Sequence, residues 1–312
     1  MVAGSLPKPR VVRGRFAPSP TGPLHRGSLV AALGSFLEAR RQGGQWQVRI
    51  EDVDIPRTAP GAATAILRVL ERCALHWDGP VVYQSQRIAH YQAALERLVS
   101  AGRAYPCVCT RRQLAGQPRA RDGAPIYPGT CRAGLRRSDG PRAIRLWVDD
   151  APLLFHDAIQ GDYSQHLVRE VGDFVLRRAD GLFTYQLAVV VDDADQGVTQ
   201  VVRGSDLLDS TPRQIYLQRL LAVPTPEYAH LPVVVNDRGD KLSKQTGAPP
   251  LDERHPGPAL WKALRFLGQQ PPPDLHQEPP VVILDWALAH WRRAAVPPVR
   301  SFRVDAIHRE AD

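Results

Sequence analysis

The sequence predicts an α/β protein built on a parallel sheet, and its first 50 residues carry the main signals. Residues 11–16 and 46–50 have the apolar pattern of short strands. Between them, a Pro/Gly-rich loop at 18–23 precedes a segment, 29–37, whose apolar residues recur at helical spacing, and Gly43-Gly44 ends that helix. A strand, a loop, a helix and a second strand in this order are the opening of a parallel α/β sheet.

Two more helices are predicted before the pattern changes. The first is expected at about 61–75, and the second begins at Ser85 as its N-cap and ends at Gly102. Residues 104–150 then lose their periodicity, because cysteine, arginine, glycine and proline dominate them. We interpret this stretch as an inserted subdomain.

Regular structure is predicted to resume in the second half of the chain. Short apolar runs lie at 174–176, 184–191 and 198–202. Ser210-Thr211-Pro212 is a strong helix start, since proline suits the first turn of a helix. Residues 246–312 contain two proline runs, so only a short helical tail is expected there.

Composition places the chain among globular proteins. Of its 312 residues, 43% are hydrophobic and 23% are charged. No apolar stretch reaches the roughly 18 residues that a membrane helix requires, and the N-terminus lacks the apolar region of a secretory signal. We therefore expect a cytoplasmic protein without a membrane partner.

The charge of the chain suits a polyanionic partner. The net charge is +8, with 40 basic against 32 acidic residues, and basic side chains gain affinity for RNA by releasing counterions from phosphates. Many soluble proteins are equally basic, so this signal is weak alone. Only four of the basic residues are lysines, however, and Lys241 and Lys244 lie three positions apart.

The segment 15–28 is the first candidate site. A Pro/Gly-rich turn between a strand and a helix brings backbone N–H groups and the positive end of the helix together, which suits a phosphate. His25 would stand at the helix start and could donate to a developing phosphate charge. An ordinary strand–helix turn with a surface histidine explains the segment equally well. Neither a Walker motif nor G-x-G-x-x-G occurs in the chain.

The segment Lys241-Leu242-Ser243-Lys244-Gln245 is the second candidate site. It follows an apolar strand at 232–235 and a tight turn at 236–239. Two ammonium groups on a loop can neutralise a triphosphate as pyrophosphate leaves. The alternative is a solvated, charged hairpin tip.

Together these two segments resemble the HIGH and KMSKS signatures of class I aminoacyl-tRNA synthetases. The strings at 15–28, 49–57 and 197–206 narrow the resemblance to the glutamyl branch of that family, and it covers about residues 11–245. It implies a Rossmann-like class I catalytic core that converts glutamate and ATP, with Mg²⁺ in attendance, to glutamyl-adenylate.

The resemblance also implies a set of site residues. Those matching the family's glutamate pocket are Arg15, Phe16, Ala17, Pro18, Ser19, Glu51, Tyr185 and Arg203. The residues at its catalytic positions are His25, Ser28, Lys241 and Lys244, and those at its ATP-binding positions are His25, Gly27 and Lys244.

The chemistry of glutamate agrees with this pocket. An amino acid with two carboxylates needs cationic partners, which Arg15 and Arg203 supply, and Glu51 offers an anion for the ammonium group. Tyr185 can donate a hydrogen bond to a carboxylate or form a wall of the pocket. Outside a pocket, Glu51 would form a surface salt bridge with Arg49 or Arg57, and Arg203 would lie at a solvated strand end.

Two positions depart from the family signatures. Ser28 stands where the first signature has its second histidine, and Gln245 stands where the second has its final serine. A hydroxyl at Ser28 can still hydrogen-bond to the nucleotide, and the resemblance leaves its exact task undefined.

Three of the four cysteines, Cys107, Cys109 and Cys131, form a metal candidate. In a cytosolic chain such a cluster favours a metal over disulfides, whereas Cys73 is expected to be a buried apolar residue. Structural zinc takes four ligands. The resemblance implies that Tyr127 is the fourth and that one zinc is bound per chain; Asp122 or water is the alternative, as are three unbound thiols.

The end of the chain narrows the expected function. Residues 246–312 are too few for the anticodon-binding domains of a long glutamyl-tRNA synthetase. Together with the Cys/Tyr cluster and the segment Lys241-Leu242-Ser243-Lys244-Gln245, this short end resembles the glutamyl-queuosine tRNA(Asp) synthetase family, which loads glutamate on the queuosine base of tRNA(Asp). We expect a monomer divided into half-cores at 1–103 and 151–245, an insertion that carries zinc at 104–150, and a tail at 246–312.

Three alternatives stay open at this point. A compact glutamyl-tRNA synthetase would charge the 3′ end of tRNA instead. A cytidylyltransferase-like enzyme shares the H-x-G motif but leaves the combination of Glu51 with Arg203 unexplained. A non-catalytic, zinc-bearing RNA-binding protein would fail to exchange pyrophosphate into ATP.

Overall fold

The computed structural model describes residues 11–135, 140–235, 251–252 and 254–303. It confirms the predicted opening of the chain. Strand β1 (Arg13–Phe16) leads through the loop into helix α1 (Arg26–Arg41), and β2 (Gln45–Ile50) returns parallel to β1. The apolar positions of α1 are buried, because the helix packs on the sheet along its length.

The next elements extend this sheet and correct one prediction. Helix α2 (Ala62–Arg72) precedes β3 (Val82–Tyr83), which pairs parallel to β2. Helix α3 (Ile88–Ser100) begins later than expected, so the assignment of Ser85 as N-cap is wrong. Ser85 instead bonds to the carboxylate of Asp52 through both its backbone N–H and its hydroxyl, because a tertiary partner competes with the helix end.

A smaller antiparallel sheet follows, and its three strands are distant in sequence. Strand β4 (Ala104–Cys107) pairs with β5 (Ala143–Leu146), and β5 pairs with β8 (Val175–Arg177). Between β5 and β8 lie the hairpin of β6 (Pro152–Asp157) with β7 (Gly161–His166) and the short helix α4 (Leu167–Glu170).

The second half of the parallel core is built around a long βαβ connection. Helix α5 (Tyr185–Asp195) precedes β9 (Gln200–Gly204), and α6 (Thr211–Leu220) connects β9 to β10 (Glu227–Leu231). Strand β10 pairs parallel to both β9 and β6. The predicted helix start at Thr211-Pro212 is confirmed.

A backbone hydrogen bond from Thr199 to Arg13 joins the start of β9 to the start of β1. The two halves of the core therefore meet where β1 lies beside β9. In open α/β sheets, ligands bind in the crevice at such a point, beyond the carboxyl ends of the strands.

The C-terminal part contains more than the predicted helical tail. Helices α7 (Pro256–Phe266) and α8 (Pro280–His290) belong to the same buried apolar cluster as α1. Strand β12 (Ser301–Arg303) pairs parallel to β11 (Val233–Val235). A strand of three residues has too little periodicity to be predicted from sequence.

Polar contacts also tie this part to the core. The buried carboxylate of Glu38 in α1 accepts from the Trp291 indole at 2.6 Å and from Arg293 at 2.7 Å. In the described part of the chain, no helix is long and apolar enough to span a bilayer.

Candidate active site

A cavity of about 380 Å³ lies at the carboxyl ends of β1, β9 and β10. Its position follows from the topology, since this is the crevice between the two halves of the parallel core. Helix α1 packs closely behind it, and a Cβ on Gly34 would come within 2.6 Å of a Leu231 methyl group, so a larger residue there would require the Leu231 side chain to shift. The predicted residues that line the cavity are Arg15, Phe16, Ala17, Pro18, Ser19, His25, Gly27, Ser28, Glu51, Tyr185 and Arg203.

The amino end of α1 forms one edge of the cavity. His25 is the N-cap, and its Nδ1 accepts from the backbone N–H of Ser28 at 3.3 Å. The Ser28 hydroxyl lies 3.1 Å from His25 Nε2. Ser28 therefore contacts the signature histidine directly, which gives the serine a local role that the signature comparison left undefined. The N–H groups of the first helical turn favour an anion at this edge.

Arg203, at the end of β9, is a buried cation held by uncharged acceptors. Its Nη1 donates to the Tyr185 hydroxyl at 3.0 Å, and its Nη2 donates to Thr211 Oγ1 at 2.8 Å and to Gln214 Oε1 at 2.7 Å. Its Nε donates to His230 Nε2 at 3.0 Å. Among the residues that the structure describes, no carboxylate pairs with this guanidinium. A buried cation that faces a cavity and bonds only to uncharged groups of the described residues favours an anionic ligand.

Arg15 differs from Arg203, because an internal carboxylate already neutralises it. Its Nε lies 3.3 Å from Asp193 Oδ1, and the same oxygen is 2.8 Å from Nη2 of the fully buried Arg49. Burial works against the charge of Asp193, but Arg15 and Arg49 outweigh it and lower the pKa of the carboxyl. Beneath the cavity there is thus a fixed network of arginine and aspartate.

Glu51 lies at the border of this network. One of its oxygens is 3.4 Å from Arg49 Nη2, so the salt bridge with Arg49 does exist, but it is buried rather than on the surface. Burial raises the pKa of Glu51 to about 7, against the opposing influence of Arg49 and Arg15. A cationic group in the cavity would restore the ionised form of this carboxyl.

The three clustered cysteines and Tyr127 converge in a separate place. The three sulfur atoms lie within 4.8 Å of one another, with Cys109 and Cys131 3.7 Å apart, and the Tyr127 oxygen is 3.4 Å from Cys107 and 3.6 Å from Cys109. A tetrahedral ion with bonds of about 2.3 Å to sulfur needs ligands roughly 3.8 Å apart. The four atoms therefore suit a metal ion of zinc's size.

Arg145 and Gly172 support this cluster, and neither had a sequence signal. Arg145 Nε donates to the Cys107 sulfur at 3.2 Å, and its guanidinium lies 3.9 Å from the centre of the Tyr127 ring, where its charge would offset that of thiolates bound to a metal. Gly172 has a φ of +71°, and a Cβ there would meet the Tyr127 backbone at 2.4 Å. Asp122, the alternative fourth ligand, pairs with Arg213 at 2.5 Å instead.

Two of the predicted site residues are not among those that the structure describes, and two residues that contact the site were not predicted from the sequence. Lys241 and Lys244 lie outside the described residues. Cys73 is buried in the main core as predicted, and burial raises the pKa of its thiol to about 12. Asp193 and His230 were missed, although a charged residue inside an apolar run is the signal for Asp193.

Comparison with known proteins identifies one family for this chain. Residues 11–255 match the family model of tRNA synthetases class I (E and Q), catalytic domain. A protein of Thiobacillus denitrificans named glutamyl-Q tRNA(Asp) synthetase is 59% identical over 289 residues, which are 93% of this chain and 96% of that protein. The protein of the same name from Burkholderia cenocepacia is 61% identical over 262 residues, 82% and 88% of the two chains.

Solved structures show the same fold in longer chains. A glutamate tRNA ligase from Elizabethkingia meningosepticum, in complex with its amino acid, superimposes with a TM-score of 0.74 at 25% identity. The match covers 95% of this chain and 68% of that one. The glutamate-tRNA synthetase of Elizabethkingia anophelis gives a TM-score of 0.75 at 25% identity, covering 95% and 69%.

Proposed function

The chain belongs to the class I tRNA synthetases of the E and Q type, and on that basis we propose that it activates glutamate with ATP and transfers it to the queuosine base of tRNA(Asp). The names of its relatives, with 59% and 61% identity to this chain, support the acceptor. The observation that supports glutamate as the amino acid is the cavity, which combines Arg203, a cation without a carboxylate partner among the described residues, with the carboxyl of Glu51.

The first half of the proposed reaction takes place in this cavity. Arg203 and Tyr185 bind the side-chain carboxylate of glutamate, and Glu51 binds its ammonium group. The α-carboxylate attacks the α-phosphorus of ATP, so that a C–O–P bond forms and pyrophosphate leaves. His25 and the N–H groups at the start of α1 stabilise the developing phosphate charge, while Mg²⁺ accompanies the triphosphate.

In the second half, a hydroxyl of the RNA attacks the activated acyl carbon. The ester forms, the bond from the acyl carbon to the phosphate oxygen breaks, AMP leaves with that oxygen, and the proton of the hydroxyl is released to water. Lys241 and Lys244, which lie outside the described residues, are proposed to neutralise phosphate charge during activation.

Exchange of labelled pyrophosphate into ATP tests the activation step. We expect exchange that requires glutamate and proceeds without tRNA. No exchange with glutamate, under conditions where the purified protein is folded, would exclude the proposed activity and favour a non-catalytic RNA-binding role.

The raised pKa of Glu51 predicts how glutamate binding depends on pH. Glu51 attracts the ligand's ammonium only when it is ionised, that is, above its pKa of about 7. As the pH falls through 7 the carboxyl takes up a proton, so KM for glutamate is expected to rise, approaching about tenfold per pH unit well below the pKa. Pyrophosphate exchange measured from pH 6 to 8.5 checks this.

Two variants make the pH test specific. Glu51→Gln should have a high KM at pH 8 and a flat profile, whereas Glu71→Gln, at an exposed position in α2, should keep the wild-type profile. A wild-type KM that is constant across this range would contradict the proposed role of Glu51.

We further propose that the cluster of Cys107, Cys109, Tyr127 and Cys131 holds one structural zinc per chain. Changing the three cysteines to serine is expected to remove the metal and to lower the melting temperature, because bound zinc stabilises the folded state. Tyr127→Phe should weaken retention less, since three thiolates stay. Cys73→Ala is the matched control, as this cysteine lies in a different apolar cluster.

Metal analysis by mass spectrometry checks this prediction. Stoichiometric zinc in the triple serine variant would place the metal elsewhere in the chain.

A further inference from the structure

A buried acid–histidine pair lies behind Arg203, outside the lining of the cavity. Asp157 ends β6 and His230 lies in β10, and both side chains are fully buried. The pair joins adjacent parallel strands, and His230 Nε2 contacts both Arg203 Nε, at 3.0 Å, and Thr211 Oγ1, at 3.2 Å. None of the sequence motifs included either residue.

The hydrogen bonds of Asp157 fix the protonation of His230. Asp157 Oδ1 accepts three backbone N–H groups, from Ile159, Gln160 and His230, at 2.9 to 3.1 Å. The other oxygen, Oδ2, lies 2.5 Å from His230 Nδ1. His230 and the backbone N–H groups outweigh burial and lower the pKa of Asp157, so this oxygen is an acceptor. The imidazole proton is therefore on Nδ1.

His230 consequently offers a lone pair to Arg203. Arginine can only donate hydrogen bonds, and its Nε–H points to His230 Nε2 at 3.0 Å. Burial lowers the pKa of His230 to about 4, so the ring is neutral and adds no second cation beside the guanidinium. The imidazole lies between the carboxylate of Asp157 and the guanidinium of Arg203, so the two charged groups form no direct ion pair.

We propose that Asp157 and His230 are positioning residues that orient Arg203 for the side-chain carboxylate of the amino acid, and so determine the preference for glutamate over glutamine. This rests on the proposed function. With its Nε–H held by His230, the guanidinium of Arg203 keeps one orientation, in which Nη2 bonds to Thr211 and Gln214 and Nη1 lies beside the cavity-lining Tyr185. Acceptors without charge leave that cation free for a ligand carboxylate, whereas a direct carboxylate partner would compete with it.

The variant Asp157→Asn gives the sharpest test, because the three backbone donors determine how the new amide is oriented. Its oxygen must face them, so its NH₂ group faces His230 Nδ1. The imidazole proton then moves to Nε2, and two donors oppose each other at Arg203. We expect KM for glutamate to rise roughly 10-fold to 100-fold, the scale for losing a hydrogen bond to a charged group.

The readouts separate positioning from a merely structural role. Pyrophosphate exchange is measured with varied glutamate, varied ATP and glutamine as competitor. Positioning predicts a higher KM for glutamate, reduced discrimination against glutamine, and a KM for ATP close to that of the wild type. Asp162→Asn is the matched control, because Asp162 pairs with His156 at 2.7 Å in an exposed version of the same contact.

A second pair of variants decides the matter if Asp157→Asn fails to fold. His230→Gln keeps an acceptor for the Arg203 Nε–H, and His230→Leu removes it, so the first should retain the preference for glutamate and the second should lose it. Equal selectivity in these two variants, or wild-type values in folded Asp157→Asn, would overturn the proposal. Failure of the wild type to exchange pyrophosphate would instead refute the proposed function.

Discussion

Replacing Arg203 with alanine is expected to lower kcat/KM for glutamate activation by about 100-fold and to remove the preference for glutamate over glutamine. The guanidinium is buried at the cavity, and among the described residues it bonds only to uncharged groups. A neutral amide cannot satisfy this cation as a carboxylate does, so the wild type penalises glutamine. Without Arg203 the two amino acids lose their main difference.

Pyrophosphate exchange with each amino acid measures both effects, and thermal melting checks that the variant is folded. Arg219→Ala, at an exposed position on α6, is the matched control and should behave as the wild type. If folded Arg203→Ala discriminates between glutamate and glutamine as strongly as the wild type, the side-chain carboxylate is bound elsewhere.

Local sequence signals were sufficient for the opening of the fold. The alternation of strand, Pro/Gly-rich loop and amphipathic helix predicted β1, α1 and β2, and their parallel pairing is confirmed. Glycine and proline mark the ends of these elements, so their boundaries could be placed closely. The same logic located the start of α6 at Thr211-Pro212.

Contacts between residues that are distant in sequence explain the features that local sequence signals did not predict. Ser85 has the chemistry of an N-cap, but Asp52 accepts its hydrogen bonds from 33 positions away. Strand β12 exists because β11 offers it a partner, and its own sequence has no visible pattern. The polar link from α1 to Trp291 and Arg293 is likewise invisible until the chain is folded.

The candidate site also combines residues that sequence motifs identified with residues whose role is visible only in the folded structure. Residues such as Glu51 and Arg203 were found through their match to a family motif, and the structure brings them to one cavity, although their roles stay predictions. The pair of Asp157 and His230 carries no motif, since its significance depends on the orientation of Arg203. Arg145 was missed for a similar reason, because only folding stacks it on Tyr127.

The acceptor is expected to be queuosine and not the 3′ end of the tRNA. Relatives named glutamyl-Q tRNA(Asp) synthetase match this chain over 82% to 93% of its length. Unstacked bases in RNA loops can be splayed into a protein pocket, which allows recognition and chemistry at one place. The net charge of +8 suits contacts to the RNA backbone that carry no sequence information.

The expected loss of transfer is complete, because a tRNA without the modified base has no acceptor for the glutamyl group. Activation should be unaffected by the acceptor, because the adenylate forms before the RNA reacts. Pyrophosphate exchange in the same samples therefore serves as the internal control. A tRNA that fails to accept glutamate while exchange continues has lost the acceptor and not the enzyme.

The decisive measurement uses labelled glutamate, ATP and two forms of tRNA(Asp), followed by identification of the labelled nucleoside. One form carries queuosine but lacks its 3′-terminal adenosine, and the other has an intact 3′ end but no queuosine. We predict that the first accepts glutamate on queuosine and that the second accepts none. Labelling of the second form at its 3′ end, with none on the first, would contradict the account and identify an ordinary glutamyl-tRNA synthetase.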